Sequence, residues 1–93
     1  MTINKTEILE NICYTELVYE RINKKLKSQF SKEEIEKLLF AIIKETDEAD
    51  FQKRGKNIYV TNIEHNIRVT VNSYNCRIIT VDLADKINRE KRK

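Results

Sequence analysis

A chain of 93 residues with 35% charged and 40% hydrophobic side chains has room for one domain and one modest core. Its single Gly, its lack of Pro and its two isolated cysteines leave no glycine-rich phosphate loop, no serine or cysteine triad and no zinc motif, and no cofactor is implied. The net charge of +3 belongs entirely to residues 84–93, where Lys86, Arg89, Lys91, Arg92 and Lys93 outnumber Asp85 and Glu90, because residues 1–83 hold 13 Lys/Arg and 13 Asp/Glu. The expected organisation is therefore a single domain over 1–83 and a flexible basic tail over 84–93. No apolar run approaches the roughly 20 residues needed to cross a bilayer, and Met1 to Glu10 alternates polar with apolar, unlike a signal peptide. A cytoplasmic location is expected, with Cys13 and Cys76 as buried, reduced thiols.

Asn4 and Glu7 have the spacing of a capping box, and Ile8, Leu9 and Ile12 give one apolar side to a short helix ending near Cys13. Thr15 is the next candidate cap, followed by Val18, Ile22 and Leu26 at helical spacing to about Lys27. Lysines 24, 25 and 27 suit the negative end of that helix dipole. Ser31 with Glu34 is the clearest capping box. It opens a stripe of Ile35, Leu38, Leu39, Ile42 and Ile43 at i, i+3, i+4, i+7 and i+8. Burying those five side chains is worth on the order of 10 kcal/mol before entropy is subtracted, so this helix is expected to cover the sheet. The acidic run Glu45, Asp47, Glu48 and Asp50 lacks both apolar period and the glycine turn of a calcium loop, and reads as a solvated linker.

Strand period takes over from Phe51. A short edge strand Phe51–Arg54 turns at Gly55 and Lys56 into a strand over 57–62, and Lys53 and Arg54 discourage pairing with other chains. Ile58, Val60, Ile67, Val69, Val71, Ile79 and Val81 alternate with polar residues, the period of a pleated strand. A connection from Asn62 to His65 sets Val60 against Ile67 and Ile58 against Val69. A three-residue loop Ser73, Tyr74, Asn75, with Asn75 left-handed, sets Val69 against Ile79 and Ile67 against Val81. The expected fold is α+β: two or three helices on one face of a three- or four-stranded antiparallel meander. Tyr59, Thr61, Arg68, Thr70 and Ile78 then lie on the face left open, with Asn72 near its end.

The motifs G-K-N-I-Y-V, I-R-V-T-V-N-S and R-I-I-T-V, with Thr15, Glu16, Leu17, Arg21, Ile22 and Leu26 upstream, resemble the signature of a small bacterial family of uncharacterised domains over residues 13–82. The resemblance implies a histidine before T-E-L and another just after I-I-T. Tyr14 and Asp82 stand there in this chain, so no histidine chemistry carries over. More distantly, the layout is similar to the compact ribonuclease toxins of bacterial toxin and antitoxin modules, which implies phosphate contacts from Arg, Lys, Tyr or His on the open sheet.

Three functions fit these residues. The first is a small module that contacts RNA, DNA or a ribonucleoprotein through Tyr59, Arg68 and Thr70, the Lys53, Arg54, Lys56 cluster, and Arg89 and Arg92 of the tail. Five tail cations on phosphate correspond to a salt slope of about −4.5, lessened by Asp85 and Glu90. The second is a protein-binding inhibitor or accessory factor of a mobile element, acting on a nucleic-acid-handling defence complex. The third is a metal-independent ribonuclease with His65 as acid or base and Arg68 on phosphate, although no second acid or base accompanies them. No metal ligands and no heptad for self-association are present.

Overall fold

Polar side chains start two of the three helices by taking up free backbone N–H groups. Asn4 Oδ1 accepts from the Glu7 N–H at 3.0 Å and opens α1, Lys5–Asn11. Ser31 and Glu34 bond each other's backbone N–H at 3.1 and 2.8 Å, the reciprocal capping box, and open α3, Lys32–Glu45. Thr15 precedes α2, Glu16–Leu26, without a side-chain bond, and α2 stops at Lys27 in the left-handed conformation with φ 55. The computed structural model describes residues 4–84. After α3 come a 3-10 turn, Glu48–Asp50, and four strands: β1 Phe51–Arg54, β2 Asn57–Asn62, β3 Ile67–Asn72 and β4 Ile78–Leu83. They form one antiparallel sheet in the order β1-β2-β3-β4, so the fold is α+β.

One core joins helices and sheet. Ile22, Ile35, Leu39, Ile42 and Ile43 are fully buried with Val60, Val69, Val71, Ile78 and Val81. Within this helical layer the contacts to the sheet are divided between helices. While α3 approaches β2, α2 runs along β4, where Arg21 Nη1 donates to the Ile79 carbonyl at 3.2 Å and Lys25 Nζ reaches Asp82 at 3.1 Å. Just before α2, the Cys13 N–H donates to the Cys76 carbonyl at 3.1 Å and the Ile78 N–H to the Cys13 carbonyl at 2.9 Å. The start of the β4 edge is thereby paired with the chain's own N-terminal part, and the other edge of the sheet is β1.

The strand registers correct two expectations. Val60 pairs with Val69 and Ile58 with Val71, two residues along from the expected partners, because the turn is Ile63, Glu64, His65 and Asn66, with Asn66 left-handed at φ 58. An even shift keeps the same side chains on the same face. Between β3 and β4 the loop spans residues 73–77, and Cys76, rather than Asn75, takes the left-handed conformation at φ 58. A bulge at Thr70/Val71 puts Val71 opposite Ile78 and Thr70 opposite Thr80, leaving Ile79 as the extra residue. Ile78 is therefore buried and Ile79 only partly, the reverse of strict alternation. Cys13 is exposed, and Cys76 is the buried thiol.

A buried polar chain fastens the end of α3 to the β2–β3 turn. Thr46 Oγ1 donates to the Ile42 carbonyl at 2.6 Å and accepts from Asn62 Nδ2 at 3.0 Å, while Asn62 Oδ1 accepts from the His65 N–H at 2.9 Å. Thr46 and Asn62 are both buried, and each polar group is satisfied by the next. The acidic segment is tied down as well: Asp47 caps its 3-10 turn, and Glu48 accepts from the Lys5 N–H at 3.1 Å. Among the described residues no helix is long and apolar enough to cross a membrane.

Candidate functional site

The sheet face turned away from the helices is built by the odd-numbered positions of β2 and the even-numbered positions of β3. Two cross-strand rows run over it. Gln52, Tyr59, Thr70 and Thr80 are successive partners in one, and Thr61, Arg68 and Asp82 in the other. The Arg68 guanidinium lies over the Tyr59 ring, 4.5 Å from its centroid, a diagonal contact between neighbouring strands. Its Nε is buried and has no hydrogen-bond partner among the described residues. Asp82, directly opposite Arg68, is paired to Lys25 of α2. The outcome is a guanidinium held over an aromatic ring, with a second cation at the sheet border.

Thr70 does not belong to the accessible part of this face. It is 4% exposed, because the central strand places it between Tyr59 and Thr80. Its role is to fill the middle of the row. The basic cluster also divides. Arg54 shares the Tyr59 side of the sheet, whereas Lys53 alternates to the helical side, where it lines a cleft with Ile8 of α1 and Ile58. Lys56 occupies the β1–β2 turn beside Gly55, whose φ of +59 is a left-handed conformation with open space where a Cβ would be. Conformation alone calls for glycine there. Arg89 and Arg92, expected to contribute from the tail, lie outside the described residues.

His65 and Arg68 are close in sequence but serve different sides. The His65 ring meets Glu45 at the end of α3, Nε2 to Oε1 at 3.1 Å, while Arg68 covers Tyr59 on the opposite face. The geometry therefore does not bring His65 to the Arg68 guanidinium. Among the described residues no group of three or more His, Cys, Asp or Glu could hold a metal ion.

A cluster that sequence periodicity did not single out joins α2 to α3. Tyr14 and Tyr19 stack at 5.6 Å between centroids and 18° between planes, Tyr19 donates to Glu36 Oε2 at 2.6 Å, and Lys32 lies over Tyr19 while pairing with Glu16 at 2.9 Å. Desolvation, then the hydrogen bond to Glu36, pushes the Tyr19 hydroxyl up to about 12. Tyr14 is raised too, by burial first and by the Glu36 charge second. Tyr14 and Tyr19 are five apart and Tyr19 and Glu36 belong to different helices, so only the tertiary packing reveals the group.

The model of the family described as "Protein of unknown function (DUF3781)" matches residues 6–82. This agrees with the resemblance carried by the strand motifs and extends it through α1. No curated protein and no solved structure matches the chain.

Proposed function

This chain belongs to the DUF3781 family, and we propose that it is a binding module that contacts single-stranded nucleic acid, RNA foremost, through the open sheet face, with the basic tail adding phosphate contacts. The observation that carries the reading is Arg68 lying 4.5 Å over the Tyr59 ring with its Nε unpartnered. A guanidinium plane supported by an aromatic ring can stack on an unpaired base while its remaining N–H groups donate to phosphate or base edges. Threonine hydroxyls flank it at positions 61 and 80, and Arg54 extends the positive character toward β1.

Ultraviolet crosslinking to a mixed single-stranded RNA, followed by mass spectrometry of the digested protein, tests the reading. Crosslinks concentrated in peptides from β2 and β3, and in residues 85–93, support it. Crosslinks confined to α3, or a yield unchanged by Arg68→Ala, contradict it. A salt slope that loses several units when residues 85–93 are deleted assigns the phosphate contacts to the tail.

A second reading, a protein-binding inhibitor or accessory factor, is favoured by the outer surface of the helices. Leu17 is 70% exposed, and Phe40 is 41% exposed in a groove of about 800 Å³ along α3 lined also by Ala41, Lys37 and Lys44. Apolar side chains ringed by charge are the composition of a protein contact. Recovery of one stoichiometric protein partner, lost on Phe40→Glu and kept on Arg68→Ala, selects this reading over the first.

A further inference from the structure

The two edges of the sheet differ. The start of the β4 edge is bridged by Cys13, whereas β1 borders the sheet on the other side and its residues Gln52, Lys53 and Arg54 are all exposed. An edge strand carries a row of backbone N–H and C=O groups with no strand beside them, a template for another chain.

The hairpin decides which of these groups face outward. Arg54 pairs with Asn57 across the two-residue turn of Gly55 and Lys56, followed by Lys53 with Ile58, Gln52 with Tyr59 and Phe51 with Val60. The pair that closes such a turn exchanges hydrogen bonds, and bonded and non-bonded pairs then alternate along the ladder. Arg54 and Gln52 therefore direct their backbone groups to β2, while those of Lys53 and Phe51 point away from it. The Phe51 N–H is already taken by the Glu48 carbonyl. Left over are the Phe51 carbonyl and both backbone groups of Lys53.

The side chains run from acidic to basic along the same edge: Asp50, Phe51, Gln52, Lys53, Arg54. Asp50, Lys53 and Arg54 are exposed and make no ion pair among the described residues. Turned end for end about Gln52, this segment sets Asp50 against Arg54 and Phe51 against Lys53. The backbone favours the same register, because the two residues with outward groups then meet and the Lys53 N–H reaches the free Phe51 carbonyl, twice by symmetry. A two-fold axis at Phe51 would need the N–H that Glu48 occupies, and one at Lys53 would set that cation against its own copy.

We infer that β1 is a homodimer interface, on which a second copy of this chain pairs antiparallel about Gln52 and joins two four-stranded sheets into one of eight strands. Asp50 of each protomer pairs with the partner's Arg54. The cations that oppose strand pairing in other registers thereby select this one. Residues opposite each other in an antiparallel ladder share a face, so both open sheet faces point the same way. The inference goes beyond the nucleic-acid reading and does not rest on it.

Sedimentation equilibrium of the full chain, with amide hydrogen exchange measured by NMR over the same concentrations, is the test. The expected result is a reversible dimer whose formation slows exchange at the Lys53 N–H, with the Gln52 N–H, already bonded to β2, as internal reference. Arg54→Asp and Asp50→Arg each set like charges opposite each other and should weaken the dimer about tenfold. Mixing the two variants restores both opposite pairs, as does combining the substitutions in one chain, and either should restore the dimer. Both positions are exposed, and a dispersed spectrum verifies folding. A chain that stays monomeric up to about 1 mM, a dimer lost on Phe40→Glu with Lys53 exchange unchanged by concentration, or charge variants that mixing does not rescue overturns the assignment.

Discussion

The two faces of the central strand β3 place opposite demands on neighbouring residues. Ile67, Val69 and Val71 are buried at 6%, 0% and 0% and meet a helical layer, while Arg68 between them lies on Tyr59 and keeps an unpartnered donor. On the inner face shape is over-determined, since Ile67, Val69 and Val71 are packed into the core and the neighbouring buried Thr46–Asn62 chain is satisfied. On the outer face the side chains touch mainly each other. A substitution should therefore report stability on one face and binding on the other, and that division can be broken experimentally.

The largest effect is expected at Leu39, which is fully buried in α3. Leu39→Asp puts a charge into the core and should abolish cooperative unfolding in urea monitored by circular dichroism, and Leu39→Ala should cost about 2–5 kcal/mol. Next comes the buried polar chain. Thr46→Val removes the acceptor of Asn62 Nδ2 and should cost about 1–3 kcal/mol in the same measurement, with the helical signal retained. A wild-type value would mean that Asn62 finds another partner.

Alkaline titration probes the helical layer through Tyr19. Tyr19 ionises at about 12 in the folded chain and at 10.0 when its environment is removed, so the stability held by its neutral form is complete below pH 10. That contribution is lost as the pH rises through about 12. Tyr19→Phe should flatten this part of the decline in unfolding midpoint between pH 10 and 12. The smallest effect belongs to the sheet border: breaking the partly exposed Lys25–Asp82 pair with Lys25→Ala should cost less than about 1 kcal/mol and disappear in 1 M salt.

Much of the inner face was legible from residue order. Ser31 and Glu34 gave the start of α3, and Ile35, Leu39, Ile42 and Ile43 its buried side, because capping and helical period are local properties. The α+β layout and the β1–β2 turn at Gly55 followed in the same way. What escaped was set by geometry between segments. The bulge exchanged Ile78 for Ile79, and the left-handed residues of the β2–β3 and β3–β4 turns turned out to be Asn66 and Cys76, neither a glycine. α2, rather than α3 alone, covers the sheet because the Cys13 bridge brings it onto β4.

The outer face was legible only in part. Alternation placed Tyr59 and Arg68 together, but it also put Thr70 on an open surface, whereas the flanking side chains of Tyr59 and Thr80 enclose it. Three cations close in sequence, Lys53, Arg54 and Lys56, read as one patch, and a strand sends the first two to opposite sides. The cleft beyond Lys53 depends on residues from α1, β1, β2 and a loop, and no local spacing announces it.

The measurement that tests the division of faces most directly is fluorescence anisotropy of a labelled single-stranded RNA titrated with wild type, Arg68→Ala and Thr46→Val. Binding should weaken about tenfold or more for Arg68→Ala, whose unfolding midpoint stays within about 1 kcal/mol of wild type. Thr46→Val should show the converse, lower stability with unchanged affinity at a temperature where it is folded. Equal RNA affinity for wild type and Arg68→Ala, or no binding by any of them, would contradict the assignment of the open sheet face to nucleic acid.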